Sequence, residues 1–189
     1  MNSMPALLVV DVQVGLDDPV MGARNNPAAE TNIERLIKHW REAAAEVIHV
    51  KHNSTEPQSP LRPESPGNAI KSCATPMVGE KLFEKCVNSA FIGTNLHEYL
   101  QEHRINQLVV IGLTTDHCVS TTVRMAENLA YEVWLVADAT ATFDRVGVDG
   151  QSLSAELMHA VNLASLNQEF CTVIDTHSAL QLVSQTIER

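Results

Sequence analysis

The sequence predicts an α/β fold, a three-layer αβα sandwich around a mostly parallel, Rossmann-like central sheet. Five short runs rich in β-branched residues recur along it: "ALLVVDV", "EVIHVKH", "QLVVIGL", "EVWLVADA" and "CTVID". These runs are apolar throughout instead of alternating, as strands covered on both faces are. Between them lie segments with apolar residues at helical spacing, and strand–helix alternation implies right-handed βαβ units. A chain of 189 residues fits one domain over 1–189, since single domains commonly hold about 100–200 residues.

Each element follows from its local pattern. The opening "MNSMPALLVVDVQ" lacks a basic start, and its apolar run stops at Asp11. It reads as a strand, not as a signal peptide or a membrane span. From Pro27 to Ala44 a helix is predicted by Ile33, Leu36, Ile37, Trp40 and Ala44, with Asn26 as N-cap and Pro27 in the first turn. After the second strand, residues 53–79 carry Pro57, Pro60, Pro63, Pro66 and Pro76. A loop this long is usually functional, and it leaves the carboxyl end of a strand, where open α/β sheets bind ligands. It is expected to cover the substrate or to contact a neighbouring subunit. "LFEKCVNSAF" reads as a short strand near the sheet's edge, with Lys85 and Val87 on one face. "GTNLHEYLQEH", capped by Thr94, "HCVSTTVRMAENLA" and "SLSAELMHAVNLASL" supply three further helices.

The net charge of −10 argues against nucleic acid, an anionic membrane or polyphosphate as a major partner. Cys73, Cys86, Cys118 and Cys171 are too scattered for a disulfide framework, and no C-x-x-C pair suggests zinc. Reduced cysteines and a cytoplasmic location are expected. Glycine-rich phosphate loops are missing, which disfavours a nucleotide cofactor.

Three residues stand where chemistry could be carried. Asp11 ends the first strand, where a carboxylate either caps a loop or acts at the sheet's carboxyl edge. Lys85 lies in a largely apolar run and is either a solvated stem or a buried cation. Cys118 follows the strand "QLVVIGL" and the turn "TTDH". The unpaired N–H groups of a helix start there would favour a thiolate, while a buried, inert cysteine fits the local pattern equally well. A direct His117–Cys118 dyad is disfavoured, because adjacent helical residues do not face one another. His49 and His52 in "HVKHN" are weak evidence for a metal, and His52 reads better as a pocket-lining side chain.

Together, "LLVVDVQ", "EKCVNSAFIGTNL", "VVIGLTTDHCVSTTVRMA" and "VWLVADAT" resemble successive signatures of the isochorismatase-like cysteine hydrolase family, over nearly the whole chain. The resemblance implies a catalytic triad of Asp11 as general base, Lys85 as its partner and Cys118 as nucleophile. It implies an oxyanion hole from the backbone N–H groups of Thr114 and Cys118, and a cis peptide between Leu113 and Thr114. Gln13, His52, Phe91 and His117 are the expected pocket residues. No cofactor and no metal are expected, since "HVKHNSTEP" lacks the Asp and His set of the family's nicotinamidases.

The retained cysteine shifts the expected reaction from enol-ether hydrolysis, as in isochorismatases, toward hydrolysis of a small amide, carbamoyl or ureido compound. An isochorismatase-type reaction through Asp11 and a catalytically silent binding protein are the alternatives. A homo-oligomer, dimer or tetramer, is what the resemblance implies for assembly.

Overall fold

The structure, a computed structural model, describes residues 4–187. Its strands are β1 (Ala6–Val10), β2 (Val47–His52), β3 (Lys81–Lys85), β4 (Gln107–Leu113), β5 (Glu132–Ala141), β6 (Arg145–Val146), β7 (Ser152–Leu153) and β8 (Thr172–Ile174). The helices are α1 (Ala29–Glu42), α2 (Leu96–Glu102), α3 (Ser120–Asn128), α4 (Ala155–Leu166) and α5 (Thr176–Ile187). Six strands form one parallel sheet in the order β3-β2-β1-β4-β5-β8. The strands β6 and β7 form a separate antiparallel hairpin.

Both faces of the sheet are covered, as the unbroken apolar runs predict. Along β1, Ala6, Leu8 and Val10 pack with α2 and α3, while Leu7 and Val9 pack with α1 and α5. Burying a side chain of this size stabilises by roughly 1.5–3 kcal/mol. Ile33, Leu36, Ile37 and Trp40 of α1 turn onto the sheet, and the fully buried Trp40 donates its indole N–H to the Pro5 carbonyl at 2.8 Å.

Strand order reverses beside β1, whose neighbours are β2 on one side and β4 on the other. Such a switch point opens a crevice at the strands' carboxyl ends. Gly112 shapes the β4 side of it. There the pairing with β5 slips by a bulge, and Gly112 adopts φ 122°. A Cβ at this position would lie 2.0 Å from the Val10 carbonyl oxygen, so only glycine lets β4 approach β1 so closely.

The structure departs from the sequence reading at Asn26, at the β6–β7 hairpin and α5, and at Val87. Asn26 does not cap α1; its amide instead donates across to the Ala137 and Thr140 carbonyls of β5, and Ala28 occupies the cap position. The β6–β7 hairpin and α5 have no counterpart in the predicted elements. Val87 shares no strand face with Lys85, because β3 ends at Lys85 and Val87 is exposed. Among the described residues no helix is long and apolar enough to cross a membrane.

Candidate active site

Asp11, Lys85 and Cys118, far apart in sequence, meet at the crevice beside β1. Asp11 follows the last residue of β1 with φ 50°, held by donating its N–H to the Val50 carbonyl at 2.9 Å. Lys85 is the final residue of β3, and its side chain is completely buried. Its ammonium donates to Asp11 Oδ2 at 2.6 Å, to Cys118 Sγ at 3.2 Å and lies 3.2 Å from His52 Nδ1. Three ammonium protons therefore have three acceptors. The solvated-stem reading of Lys85 fails because β2 and β3 deliver it inward.

Cys118 sits in a π-helical turn, Thr115–Val119, that runs into α3. It is thus inside the helical segment and not at its first residue. Such turns are rare and favour functional positions. The preceding bond, Leu113–Thr114, is cis, as the resemblance implies. The Thr114 carbonyl accepts from the N–H groups of His117 and Val119, fixing the turn against β4. Asp116 caps nothing here: its carboxylate accepts from Thr142 Oγ1 at 2.5 Å and from Arg145 Nε at 2.8 Å. Burial alone would raise its carboxyl, but these hydrogen bonds hold it below the ordinary value.

The electrostatics correct one expectation. Burial, and then the Asp11 charge beside it, push the Cys118 thiol up to about 12. That direction is opposite to the one a helix start alone would impose. Burial likewise raises the Asp11 carboxyl, against the opposing pull of Lys85. Burial, followed by Lys85, lowers the imidazole of His52 and keeps it a neutral acceptor. Asp11 Oδ1 is buried with no hydrogen-bond partner among the described residues. A ligand atom each from Asp11, His52 and Cys118 lies within 4.8 Å of the others. The centre of that cluster is taken by the Lys85 ammonium.

A cavity of about 190 Å³ opens onto these groups. At roughly 30 Å³ per water it holds a small molecule only. Leu16, Met21, Leu61 and Leu113 give it apolar walls, and Asn88, His117 and Arg145 add polar ones. Leu61 comes from the 53–79 loop, which therefore contributes to the cavity wall. The loop is pinned by Asn68, whose amide donates to the carbonyls of His52 and Leu61.

Two expected pocket residues lie elsewhere. Gln13 is fully buried behind the cavity, donating to the His52 and Asn68 carbonyls and accepting from the His52 N–H. It ties β1 to β2 and to the loop, and has no bond left for a ligand. Phe91 is buried in the core, stacked on Tyr131 with ring centroids 5.8 Å apart. His52 and His117 do line the cavity. His49 faces away from it, bonded to Glu80 at 2.8 Å. Sequence reading missed Asn88, whose Oδ1 is 3.8 Å from Cys118 Sγ, and Arg145. Asn88 lies three residues past Lys85 in the same motif, whereas Arg145 stands in a loop-like stretch with no periodic signal.

Comparison with known proteins places these features in context. The family model for the isochorismatase domain matches residues 5–178. The isochorismatase family protein YrdC of Bacillus subtilis (strain 168) is 43% identical, over 100% of this chain and 99% of its own length. A streptothricin hydrolase of Streptomyces noursei is 34% identical over 74% of this chain and 50% of its own. The crystal structure of an isochorismatase-family protein from Chromobacterium violaceum ATCC 12472 superposes with a TM-score of 0.94 at 40% identity, covering 98% of this chain and 96% of that one. With fold, match and relatedness in agreement over almost its full length, the chain belongs to the isochorismatase family of hydrolases.

Proposed function

We propose that the protein is a cysteine-dependent hydrolase that cleaves the C–N bond of a small amide, carbamoyl or ureido compound through a covalent acyl-enzyme. One observation carries this reading: the Lys85 ammonium bonds both Asp11 and Cys118, leaving Asp11 Oδ1 unpartnered beside the thiol. That oxygen is the acceptor for the thiol proton. The relative that hydrolyses streptothricin supports hydrolytic use of such a scaffold.

The steps follow from the residues. As Cys118 Sγ attacks the substrate carbonyl, an S–C bond forms and the thiol proton passes to Asp11. Lys85 offsets the negative charge shared between carboxylate and sulfur. The backbone N–H groups of Thr114 and Cys118 receive the developing oxyanion; losing one such donor typically costs about 2.7–4 kcal/mol. Asp11 returns its proton to the departing nitrogen as the C–N bond breaks. Water, deprotonated by Asp11, then cleaves the acyl–sulfur bond, and the proton goes back to sulfur.

Burial and the Asp11 charge raise the Cys118 thiol, which favours a base-assisted attack over one by a standing thiolate. Cys118→Ala tested on a panel of amides, carbamoyl compounds and isochorismate is the direct check. Loss of amide turnover is expected; undiminished turnover would exclude Cys118 as nucleophile, and retained isochorismate turnover would favour chemistry through Asp11 alone.

A further inference from the structure

We propose that His159 of α4 is a positioning residue: it grips the Thr115 hydroxyl and so holds the π-helical turn that presents Cys118 and the oxyanion-hole N–H groups to the substrate. The inference rests on the reading of Cys118 as nucleophile and adds to it a side chain outside the cavity lining.

The turn Thr115–Val119 has no side-chain cap at its start. A π-turn closes its hydrogen-bonded loop with one residue more than an α-helix. Relaxing it would swing Cys118 about the helix axis, away from Lys85 and Asp11. Two side-chain ties oppose that movement. Asp116 is bonded to Thr142 and Arg145. Thr115 is fully buried, and its Oγ1 lies 2.9 Å from His159 Nδ1.

The surroundings of the imidazole decide which of that pair donates. The ring also bonds the Ala137 carbonyl of β5, and a carbonyl only accepts. Its Nε2 is 3.4 Å from Asn26 Nδ2, but the Asn26 amide already donates to the Ala137 and Thr140 carbonyls, at 3.0 and 2.7 Å. The ring proton therefore sits on Nε2, and Nδ1 accepts from the Thr115 hydroxyl. Burial lowers the imidazole, against the Ala137 bond and the Asp116 charge, which favours this neutral form. His159 thus ties the nucleophile's turn to α4 and, through Ala137, to β5. Without it the Thr115 hydroxyl would be buried and unpaired, and the turn would have to shift to satisfy it.

Two reagents separate a turn held in place from one that is only stable. With p-nitrophenyl acetate, an S–C bond forms at Cys118, the ester C–O bond breaks to release p-nitrophenolate, and the thiol proton passes to Asp11. That reaction draws on the oxyanion hole. Iodoacetamide alkylates the same sulfur, expelling iodide and a proton, and needs the thiol alone. Rates at Cys118 are read by peptide mass spectrometry, beside the melting temperature of each variant. His159→Leu should lower the acetylation-to-alkylation ratio by at least about tenfold, since small displacements of reacting groups are costly. Thr115→Val should reproduce that fall, and the double variant should add little to it. His159→Asn, which keeps an acceptor near Nδ1, should restore most of the ratio. A histidine that only stabilises the fold would lower the melting temperature and leave the ratio alone. An unchanged ratio in the single variants, or losses that multiply in the double variant, would overturn the proposal. Should His159→Leu fail to fold, Thr115→Val, which preserves shape, decides by the same criterion.

If Cys118 of the wild type takes up no acetyl group although exposed Cys86 reacts, the nucleophile reading falls, and the grip of His159 is decided by amide hydrogen exchange. His159→Leu and Thr115→Val should each speed exchange across Thr115–Val119 and leave β1 unaltered. Unchanged exchange in that turn would overturn the role of His159.

Discussion

Asp11 joins backbone conformation to proton chemistry. Its left-handed φ of 50°, tolerated better by aspartate than by most residues, turns the carboxylate off the end of β1 toward Lys85. Burial raises its carboxyl above the ordinary 3.8. Attack requires the ionised form, so the acidic limb of kcat/KM is expected above the usual carboxylate range, lost as pH falls through the raised value. A pH–rate profile checks this, and a limb at or below 3.8 would contradict it. Asp11→Asn should cost roughly 10²–10⁴-fold in turnover, the usual worth of a general base. Gly112 has an equally local demand. Gly112→Ala places a methyl 2.0 Å from the Val10 carbonyl oxygen, and urea denaturation should show a loss of at least about 3 kcal/mol. Neither φ value is legible in the sequence: a strand-ending aspartate and a strand glycine look ordinary until the partner strand is known.

Among the elements, β3 has the weakest claim to its position, because it lies at the sheet's edge and yet carries Lys85. Glu80, the residue before it, fastens it. Its carboxylate accepts from Arg41 of α1, from His49 of β2 and from the Met77 N–H. Burial would raise the Glu80 carboxyl, but these bonds, led by Arg41, hold it at about 2. Folded value below unfolded value means that Glu80 stabilises above about pH 4.5 and that this contribution fades as pH falls toward 2. Glu80→Gln should therefore lower thermal stability at pH 7 by roughly 1–3 kcal/mol, with the difference from wild type shrinking below pH 4. Gln13 plays the same part for β2 and the 53–79 loop. Gln13→Leu should destabilise by a similar amount while Cys118 keeps its place. The sequence points Gln13 to the pocket because it shows the amide and not its three backbone partners.

At the scale of the molecule, the central strands β1 and β4 are covered on both faces and paired on both edges. Their amides should exchange most slowly, with β3 and β8 at the edges faster; the reverse order would deny the sheet its role as the stable frame. Hydrophobic pattern made this frame legible, since five runs apolar on both faces can be buried only between helix layers. The β6–β7 hairpin is short, and two-residue strands leave little pattern. The site was legible in part for the same reason. Asp11, Lys85 and Cys118 lie at strand ends or just past them, where topology delivers them to one edge. Arg145 arrives on the two-residue strand β6 and Asn88 on an irregular segment, and the direction of both depends on tertiary contacts.

The Lys85 ammonium, lodged among Asp11, His52 and Cys118, has a consequence for what the protein admits. It is a cation fixed to the chain by a covalent stem, occupying the seat where an oxygen, a nitrogen and a sulfur ligand converge. Tetrahedral zinc prefers such a donor set, with bonds of about 2.0–2.3 Å. Lys85→Ala should vacate the seat and leave a three-donor metal trap. Isothermal titration with zinc is expected to show uptake by that variant, abolished when Cys118→Ser is added, and weaker binding or none by the wild type. In this reading the lysine guards the centre against adventitious metal while it serves the chemistry.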